Sequence, residues 1–172
     1  MPETATGNAI APDPAPEAGL RAVQYRDPMR ALGVAVNHLM RQPSFAAMAF
    51  GHWSRTLVGQ INRGHYFFVM RGEEVVGFLG WALSSEANAE AWLRNGRDIS
   101  GRDARDGDCI IINAWQANDD QTNRFILDQI RRIGSSRRFV YAKRYYPNGR
   151  SRPVKLDVNR FVQNHITAAR NA

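Results

Sequence analysis

The sequence predicts one domain in which helices layer against a sheet, of the α/β or α+β kind. Three observations carry this. His65–Met70 and Glu74–Trp81 are β-branched and aromatic runs separated by Arg71-Gly72-Glu73, the pattern of a hairpin. Two stretches with helical spacing of apolar residues precede that hairpin. After it, strand-like and helix-like stretches alternate almost to the C-terminus.

In chain order, Met1 to about Gly19 holds Pro2, Pro12, Pro14 and Pro16 among Ala, Glu and Asp, and reads as a disordered tail before a domain over 20–172. Asp27-Pro28 is a helix start, with Asp as cap and Pro at the first helical position. Met29, Leu32, Val36, Leu39 and Met40 continue that helix until Pro43 stops it. Ser44 caps a second helix carrying Phe45, Met48, Ala49, Trp53, Leu57 and Ile61, which Asn62-Arg63-Gly64 ends. The hairpin follows, then a short helix over Ser84–Arg94 and a third strand over Gly107–Trp115. Gln116–Asp120 reads as a polar loop, and Phe125, Ile126, Ile130 and Ile133 mark an amphipathic helix ended by Gly134. Arg137–Lys143 alternates as a strand, Tyr145–Gly149 is a turn, Pro153–Asp157 is a last strand, and Asn159–Arg170 is a terminal helix.

Composition bounds the functional classes. A chain of 172 residues, 44% hydrophobic and 23% charged, has the balance of an ordinary globular domain. No run of 18 apolar residues is present, and Met1–Ala5 lacks the basic and apolar regions of a secretory leader. Cys109 is the single cysteine, so no intrachain disulfide forms, and a reducing cytoplasm is the expected setting. The net charge is +7, and ten basic residues fall between Arg131 and Arg160 with Asp157 as the one acid among them. Such a stretch attracts nucleic acid, anionic lipid or an acidic carrier protein, or is simply a solvated face. No P-loop, dinucleotide fingerprint or Cys/His metal spacing occurs, and Asp103, Asp106 and Asp108 alternate with basic residues as in a solvated loop.

The hairpin ending in Trp81-Ala82, Leu83-Ser84 with Glu86 soon after, Gly107-Asp108 before a strand, and Trp115 closing it stand in a particular order. In that order the chain resembles the RTX toxin-activating lysine acyltransferases, cytoplasmic enzymes that place a fatty acyl chain on lysines of a protoxin. The resemblance spans about Leu32 to Phe161. It implies an α/β, acetyltransferase-like fold: a mixed, twisted sheet with helices on both faces and a splayed strand pair that admits the thioester arm. It implies acyl carrier protein as the donor, no bound cofactor, a target protein with an acceptor lysine, and a homodimer. Arg131, Arg132, Arg137, Arg138, Lys143 and Arg144 would then dock the acidic carrier.

Acyl transfer to an amine needs a base to deprotonate the ammonium, donors for the tetrahedral oxyanion, and a groove for the chain. The family's histidine follows a Ser-Pro-x-His pattern, and its aspartate sits on the third strand. The corresponding stretches here read Gln42-Pro43-Ser44-Phe45 and Ile111-Ile112-Asn113-Ala114-Trp115. The two catalytic positions are thus Phe45 and Asn113. Phe45 accepts no proton, and Asn113 hydrogen-bonds without a charge. His52, seven residues after Phe45 and on the same expected helix face about 10 Å away, is a relocated base or a packed surface residue. His38 and His65 are weaker choices, and Cys109, opening an apolar strand, reads as buried and inert. Phe45, Trp81 and Trp115 are candidates for the acyl groove, with Trp53 and Trp92 beside them; core packing is the alternative for each tryptophan. Gly77 and Gly80 within one strand signal a close approach to the backbone or a bulge. The expected functions are therefore a protein-lysine acyltransferase, a carrier- or protein-binding relative without catalysis, and last, with no recognised module, a nucleic-acid binder.

Overall fold

Asp27 leaves the chain extended and accepts the Met29 N–H at 2.9 Å, so helix α1 (Pro28–Leu39) starts where the sequence predicts. Pro43 begins a new short helix, α2 (Pro43–Ala46), because a proline can open a helix but not continue one. The expected second helix is not continuous. The chain breaks at Ala47–Ala49 and restarts as α3 (Phe50–Arg63), which ends at Gly64. This computed structural model describes residues 19–145 and 150–158. The tail over 1–18, most of the 145–149 turn and the terminal helix from Asn159 lie outside them.

Among the described residues, six strands form one sheet in sequence order: β1 (Leu20–Val23), β2 (Tyr66–Arg71), β3 (Glu74–Ser84), β4 (Cys109–Ala117), β5 (Phe139–Tyr145) and β6 (Ser151–Asp157). Every neighbouring pair is antiparallel except β4–β5. The sheet is therefore mixed, as expected of an α/β domain. Parallel neighbours need a long crossover, and helix α5 (Asp120–Gly134) supplies it. The hairpin is tight: Arg71 pairs with Glu74, and Gly72 takes the positive φ of 59° that the two-residue turn demands. Helix α4 (Glu86–Asn95) is capped by Ser85, whose Oγ accepts from the Asn88 N–H at 3.3 Å.

Helices cover both faces. On one, Leu39, Phe45, Trp53, Leu57 and Ile61 from α1 to α3 pack against Tyr66, Phe68, Phe78 and Ala114. Ala89 of α4 continues that layer over Cys109, Ile111 and Tyr141. On the other, Ile126 and Ile130 of α5 pack on Val69, Leu79, Trp81, Ile110, Ile112 and Val140. Burying a side chain such as Leu57 or Phe68 fully stabilises by about 1.5–3 kcal/mol.

Gly107 ties the α4–β4 loop to this core. Its φ of 141° is open to glycine almost alone, and a Cβ there would overlap the Ser84 carbonyl. Arg137 donates to its carbonyl oxygen at 2.7 Å.

Candidate functional site

The site begins with a fault in the register of β4. Gly80 pairs with Ala114 and Trp81 with Ile112, which leaves Asn113 opposite no residue of β3. Such a bulge bends its strand and strengthens the local twist. On the other edge of β4, pairing with β5 runs from Cys109↔Phe139 to Ile112↔Ala142 and stops there. Both strands continue, β4 to Ala117 and β5 to Tyr145, without pairing to each other. The two strands part at the bulge.

A cleft of about 370 Å³ lies at that parting. Asn113 and Ala114 form part of its lining, with Phe45, His52 and Trp53 from α2 and α3, Trp92 from α4 and Lys143 from β5. The fold thus brings Phe45, His52 and Asn113 to one place. It does so by a different route from the one the periodicity predicted. Phe45 and His52 belong to separate helices, so a helical rise does not measure the gap between them. Phe45 packs edge-on against Trp53, with ring centroids 6.5 Å apart.

Asn113 is held by a neighbour that sequence reasoning passed over. Gln60 of α3, fully buried, donates from Nε2 to Asn113 Oδ1. Its amide occupies the space where any side chain at Gly80 would stand. The close approach signalled by Gly80 is therefore Gln60. At Gly77 it is Thr122 of α5, whose Cγ2 would be 2.8 Å from an added Cβ. With its oxygen engaged, Asn113 has its amide N–H groups to offer. Gln60 Oε1 is buried without a partner, which costs about 1–3 kcal/mol. The one advance signal of Gln60 was Gly80 itself, a residue too small for a strand interior.

The remaining candidates are distributed as follows. His52 is exposed, and among the described residues no carboxylate orients its ring. His38 bonds through Nε2 to Gln116 Oε1 at the far end of β4, and burial lowers its pKa despite that bond. His65 stacks on Trp81 at 5.8 Å, its pKa lowered by burial and then by Arg63 and Arg137. Trp81 and Trp115 lie outside the cleft, in the layer packed on α5. The tryptophans that do line it are Trp53 and Trp92. Cys109 is buried, and burial with the adjacent Asp108 pushes its thiol up to about 12.

The basic stretch does not form one surface. Arg131 pairs with Asp128 at 2.5 Å on α5, beside exposed Arg132. Arg137 is spent on Gly107, and Arg138 pairs with Asp108 at 3.0 Å and Glu86 at 3.4 Å. Lys155 joins Glu90 at 2.7 Å and Glu86 at 3.0 Å, while Arg144 is exposed on β5. Lys143 turns into the cleft, its ammonium 4.5 Å from the Trp92 ring centre and its pKa lowered by burial.

No protein-family model and no curated protein matches the chain. Among the described residues no group of His, Cys, Asp and Glu side chains is placed to hold a metal ion, and no helix is long and apolar enough to cross a membrane.

Proposed function

We propose that the chain takes a fatty acyl thioester into the cleft between β4 and β5 and transfers the acyl group to a lysine amine of a partner protein. The donor is acyl carrier protein and the target is of the RTX-toxin kind, in the cytoplasm, as the resemblance of the sequence implies. The observation that carries this reading is the parting of β4 from β5 at the Asn113 bulge. Among the described residues it leaves a strand edge without a ladder partner, and aromatic walls stand beside it. An extended thioester arm can lie along such an edge, and each buried CH₂ of its chain contributes about 0.8 kcal/mol.

His52 is the imidazole in the cleft that can take the proton of the incoming ammonium. The Asn113 amide, fixed by Gln60, donates to the tetrahedral oxyanion, a contribution of about 10²–10³ in rate for one side-chain donor. The amine displaces the carrier thiol, and the product is an amide.

A second reading has its own observation. Asn113 meets Gln60, an uncharged amide pair, and among the described residues no carboxylate is ion-paired with His52, although Asp98 lines the same cleft. That arrangement suits a relative that holds the acyl arm or its carrier without transferring the chain. Incubation with myristoyl acyl carrier protein and a lysine-bearing target, read by mass spectrometry, separates the two. Acyl-lysine adducts establish transfer. Binding of the loaded carrier without adducts, beside an active enzyme as control, establishes the binding module.

A further inference from the structure

A second recess, of about 440 Å³, opens beside the cleft. Its lining is Gly59, Asn62 and Arg63 at the end of α3, and Gly101, Arg102 and Arg105 from the loop before β4. Gly59, Arg63 and Gly101 line the cleft as well, so the two spaces share a wall.

Three arginines therefore line one space, and among the described residues none of them pairs with a carboxylate. Arg63 is half-buried, and its Nε is fully buried with no partner. Burial, and then Arg105 nearby, push its pKa below the usual guanidinium value. Arginine keeps its charge regardless, so the recess gathers positive charge that no ion pair among the described residues neutralises, with Asp98 in the adjoining cleft. Gly59 has a role in this. It stands in the interior of α3, where glycine costs about 1 kcal/mol relative to alanine. An added Cβ would come within 2.9 Å of Arg63 Nη1, so the missing side chain is what lets the guanidinium fold back against the helix. The other anion-attracting feature near the end of β4, the N-terminus of α5, is already answered by Asp119, which accepts the Thr122 N–H at 2.7 Å.

We infer that the recess of Arg63, Arg102 and Arg105 binds the phosphate of a phosphopantetheine arm whose acyl end lies in the adjoining cleft. Guanidinium groups match phosphate oxygens in pairs, which sets phosphate above a simple carboxylate. The inference rests on the reading of the cleft as an acyl-thioester site and names the second handle of the same donor. The arm has two sources, coenzyme A and a carrier protein.

The test measures binding of four myristoyl thioesters to the full chain: pantetheine, 4′-phosphopantetheine, coenzyme A and acyl carrier protein. Three proteins are compared: wild type, Arg102→Gln/Arg105→Gln, and Gly59→Ala. Arg102 and Arg105 are exposed, so the double variant should unfold as the wild type does. We expect wild type to hold the phosphopantetheine ester on the order of tenfold more tightly than the pantetheine ester. That advantage should vanish in the double variant, whose affinity for the pantetheine ester stays unchanged, and it should shrink in Gly59→Ala. Equal affinity of wild type for the two esters overturns the inference and leaves the acyl cleft standing. So does a phosphate advantage that survives in the double variant. Failure of every ester to bind removes both. A coenzyme A ester bound more tightly than the loaded carrier assigns the free coenzyme as source, and the reverse order assigns the carrier; the recess is supported by either.

Discussion

Gln60 donates its amide N–H to Asn113, the bulged residue of β4, from the space left by the missing side chain of Gly80. Three residues distant in sequence thus specify one contact, on the face of β4 that opens to the cleft. Gly80→Ala should overlap the Gln60 amide and lower stability by about 1–3 kcal/mol. Gln60→Ala should cost a similar amount by stranding the Asn113 oxygen. Combined, they should cost clearly less than their sum, because alanine at 60 removes the overlap. Urea unfolding of the four proteins checks this, and strict additivity would refute the coupling.

Gly107→Ala should be among the most damaging single changes in the loop before β4. It combines a φ of 141° with overlap of a backbone carbonyl that has no freedom to move away. The expected loss is about 3 kcal/mol or more. Gly33→Ala in α1 is the control. Nothing lies within 4 Å of the added methyl, and the helix should gain about 0.4–1 kcal/mol. Thermal melts of both should move in opposite directions.

Cys109 should resist alkylation at pH 8 in the native protein and react at once in urea, since its thiol is raised from 9.0 to about 12 by burial. The same shift makes stability depend on pH. A group with a raised folded pKa contributes fully below its unfolded value and loses that contribution as pH climbs to the folded one. For Cys109 the window is pH 9 to about 12, and for Tyr141, also raised by burial, it is pH 10 to about 12. Denaturant midpoints should fall across that range, and less steeply in Cys109→Ala. A flat profile in the wild type would contradict the burial of both groups.

For the proposed transfer, His52→Gln should lower the single-turnover rate at neutral pH by about 10²–10⁴ while acyl binding persists. Asn113→Ala should lower it by about 10²–10³. Rapid-quench kinetics with loaded carrier distinguishes these from binding defects. If both variants match the wild type, neither residue touches the reacting atoms.

Much of the fold was legible before any coordinates. Asp27-Pro28, Gly64 and Gly72 are local signals that act where they were read, whereas Pro43, read as a helix stop with Ser44 as the next cap, opens α2 behind Gln42. The break at Ala47–Ala49 was not legible, because no glycine or proline marks it and the apolar spacing runs on across it. Strand β1 was missed for a similar reason. Four residues show no alternation, and β1 is a strand because β2 offers it an edge. Strand β6 begins before Pro153, which is tolerated because β6 pairs on one side alone.

Of the site, the sequence placed Phe45 and His52 on one helix and Asn113 on a strand, and the fold gathers them in one cleft from α2, α3 and β4. It did not show how charges pair. Counted along the chain, Arg131 to Arg160 is strongly basic. Folded, Asp108, Glu86 and Glu90 come from other elements to meet Arg138 and Lys155. Arg63, Arg102 and Arg105, which no run of charge announces, line one recess without an ion pair among the described residues.

By itself the sequence determined those helix and turn boundaries that carry a local signal, because caps, prolines and turn glycines act on their immediate neighbours. Tertiary structure alone decided the bulge at Asn113, the parting of β4 from β5 and the company each charge keeps. Those depend on register between strands and on residues far apart along the chain, whose distances no local pattern encodes.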